Sequence, residues 1–233
     1  MGKKLVLCSA VTLVLGFIIG ILCSSRFLLP AGSHLRAKAG DPVASLSPGT
    51  PSLTQTPQDV QTLDTGDNTL LLQQAGQVLS TLKNQDYPAL ASYVHPTYGV
   101  QFTPYSTVQP KQDLRLSADQ VAALDSNAAV YTWGTADGSG EPIRMSGREY
   151  FARYVFNVDY TQAPVIGIDT VLESGNALEN VADSFPGCRF VEYHFPGIDP
   201  KNQGFDWCSL KLVFSPCEDS WRLVALIHSE WTI

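Results

Sequence analysis

The sequence predicts an α+β domain in which a curved antiparallel sheet packs against N-terminal helices, and three observations carry that prediction. Residues 188–195, 207–214 and 221–231 alternate apolar and polar side chains, the period of two that a strand with one buried face requires. The segments between them, 196–206 and 215–220, hold turn formers, so the three runs read as one β-meander. Upstream, apolar residues recur every three or four positions, so helices come first and the sheet last, with no alternating βαβ units.

Ahead of the domain, residues 5–22 form an uncharged apolar run, which as a helix spans about 27 Å, close to the hydrocarbon core of a bilayer. Lys3 and Lys4 favour a cytoplasmic N-terminus. Residues 1–4 are therefore expected in the cytoplasm and 5–23 as a transmembrane signal anchor. A lipoprotein modified at Cys23 and a secreted chain cleaved near Ala39 are the alternatives. Residues 24–68 are rich in Pro, Ser, Thr, Gly and Gln without an apolar period, the composition of a disordered linker. The domain proper is expected over 69–233, on the extracytoplasmic side.

Within it, Leu70, Leu71, Leu72, Ala75, Val78, Leu79 and Leu82 form the apolar stripe of a first helix. A short second helix runs through Leu90, Ala91 and Val94 to Pro96, which disfavours helical geometry at His95. An extended segment follows around Val100 and Phe102. Ser117 with Gln120, and Ser146 with Glu149, are capping-box patterns that start two further helices, the second carrying Tyr150, Phe151, Tyr154, Val155 and Phe156. Between them 129–133 reads as a strand ended by the turn Asp137-Gly138-Ser139-Gly140. Residues 164–169 read as an irregular strand and 172–185 as a loop.

With 44% apolar and 10% aromatic residues, the 233-residue chain can bury a sizeable core. Residues 1–68 carry a net charge of about +1, so the formal −7 arises in 69–233, which is the more acidic at about −8, and this argues against nucleic acid as a partner. The cysteine and histidine spacings match no zinc pattern, and the alternation Asp137, Ser139, Glu141 lacks the remaining positions of a calcium loop. No phosphate-binding glycine loop or nucleophile elbow occurs, so no cofactor is expected. If the first two meander strands pair across 196–206, Cys188 comes close to Cys217, and a disulfide between them is expected in an oxidising compartment.

His194 and His228, with Glu192 and Glu230 nearby, read as an acid–base cluster or as a surface, and because they share the parity opposite the apolar set Val191, Tyr193, Leu210, Leu212, Leu223, Ala225 and Ile227 their face is expected to meet solvent or a second subunit. The tyrosines and tryptophan Tyr93, Tyr105, Trp133 and Tyr154 can line a cavity with polar-tipped rings, or pack as core. His95 reads either as a helix-end residue or as a base, and Asp206 either as a turn residue or as a general base in a pocket that raises its pKa.

The helical pair joined at Asp86-Tyr87, the helix in the middle of the domain and the closing hairpin from Trp221 to Trp231-Thr232-Ile233 resemble the nuclear-transport-factor-2-like (NTF2-like) superfamily of cystatin-like α+β cones, and the stretches 93–105, 131–143 and 205–214 carry a second, family-level resemblance. The domain is also similar to a bacterial family of secreted or membrane-anchored proteins. The resemblance implies a cone whose concave sheet face and helices enclose a pocket, on a fold that hosts isomerases, dehydratases and non-catalytic binding or dimerising modules. The combined expectation is a non-catalytic, membrane-tethered module on the outer face of a bacterial cell that binds a small molecule, glycan or protein. The alternatives are an isomerase or dehydratase using a pocket Asp or His, and a homodimer assembled through the sheet.

Overall fold

The computed structural model describes residues 65–126 and 128–232. The expected cytoplasmic N-terminus and anchor, and the linker up to residue 64, lie outside the described residues. Among those described, no helix is long and apolar enough to cross a membrane.

Helix α1 (Thr65–Lys83) begins inside the stretch read as linker and buries Leu71, Ala75, Val78, Leu79 and Leu82, whereas Leu70 and Leu72 of the expected stripe face water. Helix α2 (Tyr87–Ala91) starts at Asp86, whose carboxylate accepts from the Ala89 N–H at 2.9 Å and so satisfies an orphan donor of the first turn. Both capping boxes form. Ser117 opens α3 (Ala118–Ala122), and Ser146 opens α4 (Gly147–Tyr150), which continues as a π-helical turn over Phe151–Val155.

Six strands make one sheet in the order β2-β1-β8-β7-β6-β5: β1 (Val100–Thr103), β2 (Leu114–Leu116), β5 (Val165–Ile168), β6 (Arg189–Phe195), β7 (Cys208–Cys217) and β8 (Ser220–Glu230). The meander β6-β7-β8 is antiparallel as expected, but β1 runs parallel to β8, so the sheet is mixed and not purely antiparallel. A separate hairpin of β3 (Val130–Thr135) and β4 (Pro142–Ser146) turns at the predicted Asp137–Gly140 segment. It lies on the helix side, where Trp133 meets Phe102 edge-on at 5.2 Å. The expected loop at 172–185 contains a single turn of helix, α5 (Val181–Ser184).

One irregularity decides which residues meet. Val213 pairs with Ala225 but the next residue, Phe214, pairs with Leu223, so Val224 is an extra residue in β8. A one-residue bulge exchanges the two faces of everything beyond it. Phe214 and Leu223 therefore share the helix-covered face with Leu212, Leu226, Leu210, His228 and Glu230, whereas Ala225 and Ile227 turn to the opposite face. His194, opposite Ser209, lies on that opposite face too. The expectation that His194 and His228 share a face is overturned: they point to opposite sides of the sheet.

The expectation of a solvent-facing histidine side also fails. The outer face carries Glu192, His194, Ser209, Lys211 and Ser229, all buried, because residues 169–188 strap across it. The strap is fixed by charges and by its backbone. Lys211 Nζ lies 2.8 Å from Glu179 and 3.7 Å from Glu192, and donates to Ser229 at 2.9 Å. The Leu172 N–H donates to Glu192 at 3.1 Å, and Asn180 bonds the backbone of Val108 both ways, at 2.8 and 3.1 Å. A buried lysine is tolerable only with such partners, because removing an unpaired ammonium from water costs several kcal/mol. The strap thus covers the part of this face around Lys211 that the alternative of a sheet-mediated homodimer would use.

The register places Arg189 opposite Phe214, which sets Cys188 beside Ser215 and short of Cys217. Both cysteines, and the buried Cys208, are free thiols, so the expected disulfide is not formed here.

Candidate functional site

The π-helical turn after α4 faces the last residues of β8. Tyr154 projects from the former and His228 and Glu230 from the latter, and the bulge at Val224 sets their parity. Arg153 reaches across and holds Glu230 in a two-pronged contact, Nη2 to Oε1 at 2.6 Å and Nη1 to Oε2 at 3.1 Å. The same guanidinium lies 4.5 Å above the Tyr154 ring. Behind the pair, the Nε2 of His228 is 3.2 Å from Glu230 Oε2 without hydrogen-bond alignment, and its Nδ1 has no hydrogen-bond partner among the described residues.

These contacts set the charge states. Burial pushes the Glu230 carboxyl up, but the His228 and Arg153 contacts outweigh it and bring the pKa down to about 2. Burial pushes His228 below the ordinary imidazole range, so it is neutral at physiological pH. The Tyr154 hydroxyl is raised by burial and by Tyr105, whose hydroxyl lies 3.4 Å away. Burial keeps Tyr150 and Tyr160 protonated as well.

From this cluster an aromatic chain runs through the core: Tyr154 to Tyr150 at 5.1 Å, Tyr150 stacked on Trp133 at 4.0 Å, and Trp133 against Tyr131 at 5.6 Å. At its other end Tyr105 opens onto a groove of about 340 Å³ between residues 105–109 and the β3-β4 turn, lined by Thr107, Gln109, Thr135 and Asp137. The groove offers hydroxyls, an amide and a carboxylate beside one aromatic ring, a surface suited to a small polar ligand.

Of the six residues singled out in the sequence, Tyr105, Trp133 and Tyr154 come together in this chain of rings. Trp133 is a core residue, with no exposed surface and its indole N–H donated to Met145 O at 2.9 Å. Tyr93 packs against the main core, and its carbonyl accepts from the Leu223 N–H at 2.8 Å. His95 closes the turn after α2. Its Nδ1 accepts from the Thr97 and Tyr98 N–H groups, each at 3.1 Å, and burial holds its pKa down. Asp206 sits in the β6-β7 connection, where it accepts from Ile198 N, Asp199 N and Asn202 Nδ2 at 3.1, 2.7 and 2.9 Å. Those bonds hold its carboxyl below the ordinary range, the reverse of what a general base needs.

Sequence reasoning placed Glu230 near His228 but missed Arg153, which engages Glu230. Arg153 was detectable as a cation placed directly before Tyr154 in an aromatic helix, but its partner lies 77 residues away.

Neither a protein-family model nor a curated protein sequence matches the chain. Among solved structures it is similar to a domain of unknown function with a cystatin-like fold from Nostoc punctiforme, at 9% identity over 72% of this chain and 80% of that one, with a TM-score of 0.33. It is also similar to an NTF2-like protein of unknown function from Shewanella baltica, at 7% identity over 72% and 95% of the chains, TM-score 0.31. A third is a candidate dehydratase of the NTF2-like family from Streptomyces avermitilis, at 11% identity over 72% and 99%, TM-score 0.29.

Proposed function

We propose that the domain is a non-catalytic binding module, tethered outside a bacterial membrane through residues 5–23, that takes a small polar ligand in the groove beside Tyr105. The observation that carries this reading is how the ionisable groups behind the groove are engaged. Glu230 is locked by Arg153, His228 is neutral and enclosed, and burial holds the Tyr154 hydroxyl protonated, which leaves hydroxyls and ring faces to meet a ligand. The tether rests on the apolar run and the flanking lysines.

A thermal-shift titration of the full chain with N-acetylglucosamine disaccharide, run beside a panel of neutral sugars and small metabolites, tests it. A groove ligand raises the melting temperature saturably, and the double variant Tyr105→Ala, Thr135→Ala abolishes the shift. If no member of the panel moves the wild-type melt, or if the double variant responds equally, the groove assignment is wrong.

One observation favours an enzyme of the isomerase or dehydratase kind instead. The neutral His228 has no hydrogen-bond partner on Nδ1 among the described residues and an ionised carboxylate 3.2 Å from Nε2, the two groups that an imidazole base uses once they align. Exchange of a carbon-bound proton from an added ketone into deuterated solvent, lost on His228→Gln, would establish that reading.

A further inference from the structure

We infer that the outer face of the sheet carries a second binding site, for an aryl-alkyl monocarboxylate, in a two-lobed cleft around Phe185 and Cys188. One lobe, of about 530 Å³, is lined by Tyr98, Arg115, Pro186 and Val224. The other, of about 270 Å³, is lined by Val181, Phe190 and Val213. Phe185 and Cys188 border both, so the lobes adjoin, and neither shares a lining residue with the groove beside Tyr105.

Three features identify the ligand. The first is a cation without a counter-ion. Arg115 donates from Nη1 to the Tyr98 carbonyl at 3.0 Å and from Nη2 to Gln101 Oε1 at 2.6 Å, both neutral acceptors, and among the described residues no carboxylate lies within salt-bridge distance. Asp113, the nearby acid, is screened from it by the same Gln101, whose amide donates to Asp113 Oδ2 at 3.2 Å, with Thr103 donating at 2.8 Å. The guanidinium is therefore held in place by a dipole while its charge and its remaining N–H donors stay open to a planar anion.

The second feature is a fixed aromatic platform. The Tyr98 ring is 58% exposed yet stacked on the buried His95 at 4.2 Å and 20°, so it cannot collapse into the cleft. The third is the apolar interior beyond it, where Val213, Val224 and Phe190 belong to the small second core beneath the strap. The carboxylate that lines the far lobe, Asp169, is already bound by Arg189 at 2.7 Å and by the Phe190 N–H at 2.8 Å, so it adds no open charge to repel an acid. A carboxylate on Arg115, an aryl ring against Tyr98 and Phe185, and an alkyl spacer between them use each of these elements.

Cys188 reports occupancy directly, because it is half-buried at the junction of the lobes. The experiment alkylates the full chain with N-ethylmaleimide and follows Cys188 by peptide mass mapping, in the presence of 4-phenylbutyrate, 4-phenylbutanol or butyrate. The acid should slow modification of Cys188 saturably, by about threefold at twice its dissociation constant, with little effect of the alcohol or of butyrate. Arg115→Gln should remove the advantage of the acid over the alcohol. Unchanged Cys188 reactivity at millimolar acid, equal protection by acid and alcohol, or full protection in Arg115→Gln would each overturn the assignment. If the variant does not fold, the comparison of acid with alcohol on the wild-type chain decides the matter by itself.

Discussion

Replacing Glu230 by Gln keeps the shape of the side chain and its ability to accept from Arg153 but removes the charge that joins the helix side of the domain to its last strand. The magnitude follows from the carboxyl's displacement from 4.5 to about 2, which at about 1.4 kcal/mol per tenfold is worth roughly 3 kcal/mol before screening. The side chain retains 20% of its exposure and His228 is neutral at pH 7, so solvent screening and the missing imidazolium charge reduce the effect to about 1–2 kcal/mol. The sign is that of a depressed acid. The stabilisation is complete above the unfolded value near 4.5 and disappears as pH falls through the folded value near 2. Urea titrations followed by tryptophan fluorescence should therefore show the variant weaker at pH 7 by this amount, with the gap to wild type smaller by roughly 1 kcal/mol at pH 3. An identical gap at both pH values, or none at pH 7, would refute the view that an ionised Glu230 clamped by Arg153 ties β8 to the turn after α4.

Gly99→Ala should cost more than about 2 kcal/mol, because φ is +66° and a Cβ would stand 2.4 Å from the Leu116 carbonyl oxygen. Gly140→Ala, at φ +70° with nothing within 4 Å, should cost only about 1 kcal/mol, and equal losses in denaturant melts would contradict this. Trp133→Ala should cost about 3–5 kcal/mol and flatten the near-ultraviolet circular dichroism, since the ring is fully buried and stacked on Tyr150. His228 and His194 are both depressed below the ordinary imidazole value of 6.5 by burial, so the unfolded chain binds protons first. Stability should then decline as pH falls below 6.5, and His228→Gln should shallow that slope, as read from the urea midpoint between pH 7 and 5.

Local pattern carried much of the outcome. The period of the apolar residues located α1, and the pairs Ser117/Gln120 and Ser146/Glu149 formed the capping boxes that their spacing announced. The turn-rich segments separated the three strands of the meander where they were expected, and the aromatic helix delivered Tyr154 to the interior. Each of these depends on residues within a few positions of one another, whose side chains compete for the same backbone groups or the same helix face.

What alternation cannot express is the phase of one strand against the next. Within β8 it says that His228 and Leu226 share a side, but whether that side is the one holding Tyr193 depends on pairing partners far along the chain and on one extra residue, Val224. The same holds for the parallel contact of β1 with β8, for the strap that seals Lys211 and Glu192, and for the reach of Arg153 to Glu230. The sequence by itself determined the main helices and the meander, the acidic balance and the residues available for a site, but not the short strands β2 and β4 or the turn of helix α5. The tertiary structure decided which of them face one another, because register, bulge and burial are settled by contacts between segments that no local period encodes.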